Sequence, residues 1–252
     1  MITTPQKREI NMSFTIKNIP AIMRSNKWLN GAALMESWFS RNVNIAPKYG
    51  LPDTLTIAMD SCVLTFPRAK KVYDQLVKDR IWQNEPARLE IAKMLRKKGL
   101  ILPNTCFDLP FGNLSLPVQT QDDDYINQRV LGMSSDLDDM NVALGNFVFN
   151  VVIAGHVSCC SGKDAVYGVY RVEIKEVGVY VKYSYDFNGD QFLGYWDDSD
   201  NSVSMWNALS GTGVSNQDFR DWRAKNGKGG DFRVFSDVKR TPLSLPDVFF
   251  IK

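Results

Sequence analysis

Apolar side chains recur at helical spacing near the start of the chain. Between residues 26 and 41, the large apolar side chains fall on one face of a helix. Those side chains are Leu34, Met35, Trp38 and Phe39. The pattern predicts a helix that Asn26 caps and that buries this face in the core.

Two further helices are predicted with clear boundaries. Pro67 suits the first turn of a helix over residues 68–79. Residues 85–98 form the next predicted helix, because Asn84 can cap its first turn and Gly99 can end it. Each helix carries an apolar stripe at helical spacing, which we expect to face the core.

The pattern is weaker between these helices and on either side of them. Alternation at Leu55–Met59 predicts a short strand. Residues 102–117 contain three prolines and a glycine, which predicts a loop. The aspartates at residues 122–124 predict the acidic first turn of a short helix that ends near Leu131. The alternative for these three aspartates is a metal-binding cluster.

The second half of the chain changes to a strand pattern from about residue 146. The nearly continuous apolar run Phe147–Val157 predicts a buried central strand. Alternation follows over residues 167–175 and again over residues 177–185, but the apolar positions move from even to odd numbers between them. This change of phase predicts a tight turn or a β-bulge close to Glu176.

The end of the chain adds one helix and two strands. Residues 217–225 predict a helix that Asn216 caps and Gly227 ends, and strands follow at Phe232–Val238 and Val248–Ile251. The sequence therefore predicts an α+β fold, in which a helical N-terminal half packs on a mostly antiparallel C-terminal sheet. The predicted parts, which one compact domain could also contain, are a flexible arm (1–17), a mainly helical part (18–145) and a β-rich part (146–252).

Composition narrows the classes of function. The 252 residues are 44% hydrophobic and 23% charged, as in an ordinary globular protein. A net charge of +2 is too balanced for a nucleic-acid-binding surface, so no nucleic-acid partner is expected.

Neither a signal-peptide core nor a transmembrane helix is predicted. The four cysteines show no metal-binding spacing, and we expect reduced thiols in a protein made in the cytoplasm.

Polar and aromatic side chains gather where the strand over residues 177–185 ends. They are Tyr183, Tyr185, Asp186, Asn188 and Asp190. The Asn-Gly step here predicts a turn, and the carboxylates could simply bond their own backbone. Alternatively, Asp186 and Asp190 converge as catalytic acid and base with Tyr185, or hold a divalent cation, while Tyr183 and Asn188 bind substrate. No other cofactor is expected.

Other candidates are a lone histidine and several basic residues. His156 lies inside the predicted central strand, where it is either a packing residue or a catalytic one. Arg220 and Arg223 share one helix face and either hold a phosphate or pair with neighbouring aspartates. Lys228 belongs to a glycine-rich stretch that predicts either a helix end with a turn or a backbone nest for an anion.

The C-terminal third carries a resemblance to a known group of proteins. The motifs are Tyr-Ser-Tyr-Asp-Phe-Asn-Gly-Asp-Gln from Tyr183, Phe-Arg-Asp-Trp-Arg from Phe219, and Gly-Lys-Gly-Gly-Asp-Phe from Gly227. They resemble an uncharacterised proteobacterial family that is often encoded beside type VI secretion genes. This resemblance extends back to Trp38 and Phe66, and it implies an antibacterial effector or an accessory protein of that secretion system.

A more limited resemblance is to the colicin M family, which cleaves a lipid-linked peptidoglycan precursor at its diphosphate. Tyr185-Asp186 match the second half of that family's Asp-x-Tyr-Asp motif, but position 183 is tyrosine and no His-Arg pair follows. The resemblances together imply a toxin that hydrolyses a phosphate-containing envelope substrate after type VI export into a target cell. The alternatives are a non-enzymatic adaptor or chaperone, or an immunity protein; the partners implied are a secretion-spike or an immunity protein.

Overall fold

The computed structural model describes residues 14–102, 108–132, 134–166, 168–208 and 211–252, except for the side chains of residues 162 and 164. Most of the predicted N-terminal arm, residues 1–13, lies outside this range. The end of that arm is ordered, because a 3₁₀ helix covers Ile16–Asn18. The described residues form seven α-helices and nine β-strands.

Two of the helices begin and end close to where the sequence predicts. The helices are α1 (Ile19–Ser25), α2 (Leu29–Ser40), α3 (Pro67–Lys78), α4 (Glu85–Lys97), α5 (Val118–Gln121), α6 (Asp139–Leu144) and α7 (Asn216–Asn226). The predictions for α3 and α4 are confirmed. The Asn84 side chain accepts the Ala87 N–H at 3.0 Å, and Gly99 follows the end of α4 with φ of 69°. Both signals are local, since they satisfy backbone groups within one turn.

Two predicted helix caps are wrong. Asn26 lies at the C-terminal end of α1, where its side-chain amide donates to the Ile22 carbonyl at 2.9 Å, and it does not start α2. The N-cap of α7 is Ser215, whose backbone N–H donates to the Asp218 carboxylate at 2.7 Å, and Asn216 is the first helical residue. Asparagine satisfies backbone groups at either end of a helix, so its presence alone does not fix the boundary.

The strands form two antiparallel sheets. They are β1 (Asp108–Phe111), β2 (Asn127–Leu131), β3 (Phe147–Cys159), β4 (Tyr170–Tyr185), β5 (Phe192–Trp196), β6 (Val203–Ser204), β7 (Thr212–Ser215), β8 (Phe232–Phe235) and β9 (Lys239–Ile251). In the main sheet β3 and β4 are central; β1 and β2 pair with β3, and β8 and β9 pair with β4. The small sheet has the order β6-β5-β7.

Three local predictions in the first half of the chain are wrong. Leu55–Met59 forms bends and turns instead of a strand. The predicted loop over residues 102–117 contains β1, and the predicted helix after residues 122–124 is a 3₁₀ helix followed by β2. Both strands depend on the long central strand β3, which supplies the hydrogen-bonding partners that their own sequences do not specify.

A β-bulge explains the change of phase along β4. The predicted strands over residues 167–175 and 177–185 are one continuous strand, and its register on β3 shifts between Ile174 and Glu176. The shift moves the core-facing positions from Val172 and Ile174 to Val177 and Val179. The bulge alternative is therefore confirmed. The single strand β4 pairs with His156 of β3 near its start and ends directly before the turn that contains Asp186.

The bulge requires a glycine on the opposing strand. A Cβ atom at Gly155 would overlap the backbone carbonyl oxygen of Glu173. We expect Gly155→Ala to lower the free energy of unfolding by roughly 1–3 kcal/mol, because the two central strands must move apart. Gly132→Ala is the matched control, since a Cβ there meets no atom of the described residues within 4 Å. Urea unfolding of both variants checks this, and equal stabilities would contradict it.

Both faces of the main sheet are buried, one in a large apolar core and the other in a small one. One face joins α1–α4 in the large core through side chains such as Phe149 and Val181. The other face forms a small cluster in which Val152, Tyr180 and Phe235 pack under the chain around α5. The predicted α+β class is confirmed, with a helical N-terminal half on a mostly antiparallel sheet. The large core contains residues of both predicted parts.

The cysteines differ from the sequence-based expectation. Cys159, the last residue of β3, is disulfide-bonded, so the prediction of reduced thiols is wrong for this residue. Cys62 is buried and carries a thiol whose pKa is raised to about 11, mainly by burial. Cys106 lies outside the described residues. Among the helices described, none is both long and apolar enough to cross a lipid bilayer.

Candidate functional site

The predicted constellation lies in the turn that joins β4 to β5. The Asp186 carboxylate accepts the Asn188 N–H at 3.1 Å, which is the self-bonded turn predicted as one of two alternatives. The Asn188 side chain is exposed, and the backbone carbonyl of Asn188 accepts the Asn216 side-chain amide at 2.6 Å. The turn is therefore fixed by bonds within itself and to the start of α7.

Arg220 holds the same turn from the side of α7. Its guanidinium donates to the Phe187 carbonyl at 2.9 Å and also to the Gly189 carbonyl. It also bonds the Gln217 side chain at 2.6 Å and lies 3.3 Å from the Asp190 carboxylate. Because two backbone carbonyls and the side chains of Gln217 and Asp190 take its donors, Arg220 stabilises the turn and has little capacity left for a phosphate.

Asp190 lies at the surface of the protein. Its side chain is 99% exposed, although its carboxylate touches Arg220. Asp186, by contrast, is half-buried and lines a cleft. The structure therefore does not bring the two predicted carboxylates together around an enclosed reacting group. Their assignment as acid and base, or as ligands of a divalent cation, stays a prediction.

The two tyrosines are partly or fully inside the protein. Tyr185 is buried, stacks on Phe232 with ring centroids 5.3 Å apart, and contacts Phe187 edge-on. Burial raises the pKa of the Tyr185 hydroxyl far above its ordinary value. Tyr183 is half-buried, and burial followed by the Asp186 carboxylate raises its pKa to about 12. Neither hydroxyl is therefore activated as a base at neutral pH.

The pKa of Tyr183 has a consequence for stability at alkaline pH. The unfolded chain releases this proton near pH 10 and the folded protein only near pH 12, so the unfolded state gains stability in between. We expect the free energy of unfolding to fall over this interval, and to fall less in Tyr183→Phe. Urea titrations at stepped pH check this, with Tyr49→Phe on an exposed loop as control. Identical slopes in all three proteins would refute it.

Arg223 belongs to the core instead of a ligand site. It is buried, its guanidinium pairs with the buried Asp231 carboxylate, and it lies 5.1 Å from the centre of the Trp38 ring. Trp38 donates its indole N–H to the same Asp231 oxygen at 2.8 Å. Burial raises the pKa of Asp231, and the two donors oppose that effect. The pair anchors α7 to α2.

The glycine-rich stretch around Lys228 packs against the end of α2. Gly227 ends α7 with φ of 63°, as predicted. The next backbone N–H groups are used by carbonyls, since Gly229 donates to Arg41 at 3.0 Å and Gly230 to Trp38 at 3.1 Å. A Cβ at Gly229 would lie 2.5 Å from the Trp38 ring. This supports the turn alternative, because those donors are not available to an anion.

Lys228 and His156 lie apart from the turn. Lys228 is exposed, and its ammonium group donates to the Asn42 side chain at 2.9 Å. The Nδ1 atom of His156 lies 3.3 Å from the Asp108 carboxylate, across the β1–β3 pairing. His156 pairs with Glu173 on β4, so it is roughly 40 Å along that strand from Asp186 at about 3.3 Å per residue. The two cannot act on one substrate atom.

The acidic run at residues 122–124 has a structural explanation. The Asp122 carboxylate is buried and accepts the Tyr180 hydroxyl at 2.8 Å and the Lys182 ammonium at 2.6 Å. Asp124 pairs with Lys98 at 2.6 Å. Within the described ranges, no group of three or more His, Cys, Asp or Glu side chains has the arrangement of a metal site.

An apolar cleft of about 400 Å³ lies beside the turn, and the sequence does not predict it. Its walls come from distant parts of the chain: α1, α2 and α6 on one side, and the small sheet with α7 on the other. Tyr183 near the end of β4 and Asp186 and Phe187 from the turn also line it. Trp206 and Phe192 lie at its rim, 87% and 40% exposed. A volume of this size suits an apolar ligand group.

The described lining of the cleft carries one negative charge. Its described lining residues include a single charged side chain, Asp186, and no lysine, arginine or histidine. Arg220 and Arg223 lie outside the lining and have the partners described above. A phosphate placed here would meet a carboxylate without a compensating cation. No sequence signal marks the rim residues, because they become neighbours through the packing of the small sheet on the helices.

Comparison with known proteins places the chain in a family. A model of a family of unknown function, DUF6402, matches residues 14–212 and 211–251. The chain belongs to this family. No curated protein and no solved structure matches it. The match includes the turn, α7 and every described element that lines the cleft, so the DUF6402 region contains the whole candidate site.

Proposed function

We propose that this DUF6402 protein is a non-enzymatic accessory protein of a type VI secretion system, an adaptor or chaperone whose cleft binds an apolar segment of a partner. The observation that carries the proposal is the contrast at the candidate site. The Asp186 carboxylate accepts a backbone N–H of its own turn and the Asp190 carboxylate contacts Arg220, while an open apolar cleft lies directly beside this turn. The link to secretion rests on the resemblance of the C-terminal motifs.

Exposed apolar surface elsewhere supports a protein that binds partners. The loop between α2 and α3 presents Val43, Ile45, Tyr49, Leu51 and Leu55 to solvent. Leu51 and Leu55 are 81% and 92% exposed. The loop is held in place, because it donates and accepts backbone hydrogen bonds with residues 231–235. A fixed loop with several exposed apolar side chains is typical of an interaction surface.

Truncation at the rim of the cleft tests the proposal. Co-expression with a secretion-spike protein or effector encoded beside it should give a stable complex. The double variant Trp206→Ala/Phe192→Ala should weaken that complex at least about tenfold, since anchoring aromatics carry much of the binding energy of an interface. Leu245→Ala is the control, because Leu245 is 78% exposed on β9 and outside the cleft.

Calorimetry or surface plasmon resonance gives the dissociation constants of the three proteins. Equal affinities would show that the cleft does not hold the partner. The absence of a complex with any secretion component would remove the adaptor proposal altogether.

The second candidate is the antibacterial effector that hydrolyses a phosphate-containing envelope substrate. The disulfide at Cys159 favours it, since disulfides persist in oxidising compartments such as the periplasm of a target cell. Asp186 and Tyr183 would then be the polar groups at the cleft. Only the effector should harm cells when it is expressed with an added signal in the periplasm.

Variants distinguish the remaining possibilities. Toxicity that Asp186→Ala removes would favour hydrolysis, and toxicity that survives both Asp186→Ala and Asp190→Ala would exclude these acids as catalysts. Harmlessness in the cytoplasm and in the periplasm would exclude the toxin, whereas protection against a toxin encoded beside it would identify an immunity protein.

A further inference from the structure

The charge of the cleft restricts what can bind in it. We infer that the cleft binds a polypeptide segment with apolar anchors and one lysine or arginine, and that Asp186 pairs with this cation. This inference rests on the proposed function, because it names the chemistry of the partner that the cleft would hold. It concerns the partner's recognition sequence, which the proposed function leaves open.

Asp186 is available for such a pair. One carboxylate oxygen accepts the Asn188 N–H at 3.1 Å, and the other accepts no hydrogen bond within the part of the chain that the structure describes. The two arginines of α7 have other partners, since Arg220 bonds carbonyls of the turn and Arg223 pairs with Asp231. A half-buried carboxylate in the lining of an apolar cleft gains most from a partner that brings a positive charge.

The same arrangement disfavours an anionic ligand. A phosphate or carboxylate in the cleft would be repelled by Asp186, and no described lining residue offers a cation to hold it. Charge repulsion of this kind lowers affinity and excludes wrong partners. The cleft is therefore selective for the sign of the charge that accompanies the apolar group.

A polypeptide fits the rim better than a small amphiphile does. The cleft holds about 400 Å³, but Trp206 at its rim is 87% exposed and extends the apolar surface beyond that volume. A ligand confined to the cleft would leave most of the indole ring in water. A segment that continues past the rim would cover it, as apolar anchors on a peptide do when they dock in a groove.

A random-peptide display library tests the inference without knowledge of the natural partner. Peptides are selected on the wild-type protein, and those that still bind Trp206→Ala/Phe192→Ala are discarded. We expect the remaining peptides to contain one lysine or arginine flanked by apolar residues. Selection on Asp186→Asn should lose this basic residue and keep the apolar ones.

Asp190→Asn is the matched control, since Asp190 lies in the same turn but is 99% exposed and does not line the cleft. It should select the same basic peptides as the wild type. Asp186→Asn keeps a side-chain oxygen that can accept the Asn188 N–H, so the turn is expected to persist. A thermal unfolding curve verifies that both variants fold.

One selected peptide then gives the size of the effect. Replacing its basic residue with glutamate should weaken binding to the wild type at least about tenfold, and should have little effect on binding to Asp186→Asn. Fluorescence anisotropy of a dye-labelled peptide reports the affinity. Peptides without a basic preference, or one that both aspartate variants lose equally, would overturn the inference and leave cleft binding intact. If no cleft-dependent peptide is found, the proposed function itself fails.

Discussion

Replacing Trp38 with alanine is expected to lower the free energy of unfolding by about 3–5 kcal/mol, as for other large aromatic residues in a core. Trp38 is fully buried and contacts four aromatic rings, those of Phe39, Phe187, Phe219 and Trp222. Its removal leaves a cavity between α2 and α7 and takes away the indole donor to Asp231.

Denaturant unfolding followed by circular dichroism measures this loss. Trp206→Ala is the matched control, because the same truncation at an 87% exposed side chain should change the stability by about 0.5 kcal/mol or less. Similar losses in the two variants would show that Trp38 is not the centre of this cluster.

Replacing Asp231 with alanine should be about as damaging, with an expected loss of about 3–5 kcal/mol. The change leaves the buried Arg223 guanidinium without its carboxylate and the Trp38 indole without its acceptor. An uncompensated buried charge costs more than the pair contributes when intact. The double variant Arg223→Met/Asp231→Leu should therefore be more stable than Asp231→Ala alone.

Asp190→Ala controls for the loss of a carboxylate, since that side chain is 99% exposed, and it should unfold like the wild type. Trp38 and Asp231 are in direct contact, so the two losses should not add. Additive losses in the Trp38→Ala/Asp231→Ala double variant would contradict the shared hydrogen bond. If the double variant of Arg223 and Asp231 is less stable than Asp231→Ala, the buried charge is not the cause.

Both substitutions also bear on the cleft. Phe187 and Phe219 line it, and their rings stack with centroids 3.7 Å apart directly against Trp38. The buried ring of Trp38 thus supports two of the residues that line the cleft. Variants that partly fold should lose peptide binding even though no cleft residue is changed, which separates them from the rim variants, whose stability should remain normal.

Several elements follow from local sequence. The helices α3 and α4, the central strand β3 and the end of α7 at Gly227 were predictable, because caps and hydrophobic periodicity act within a few residues. The phase change near Glu176 predicted a tight turn or a bulge for the same reason, and the structure has the bulge. The self-bonded turn at Asp186 and Asn188 was one of two alternatives, and its hydrogen bond is a local one.

The errors in the prediction come from contacts between distant parts of the chain. The strands β1 and β2 exist because they pair with β3, which their own composition does not indicate. Asp122 became a buried acceptor for Tyr180, 58 residues away, instead of a helix cap. Arg223 is buried in the core, although it was predicted on the helix surface, because Asp231 and Trp38 contact it there.

By itself, the sequence determined the α+β class, the boundaries of α3 and α4, and the turn after β4, since each depends on neighbouring residues. The tertiary structure alone decided that Asp186 lines an apolar cleft, that Asp190 faces water, and that the arginines have partners elsewhere. These outcomes depend on packing the small sheet against α1, α2 and α6, and on the long-range ion pairs that this packing buries. A local sequence pattern does not indicate which residues far apart in the chain will come into contact.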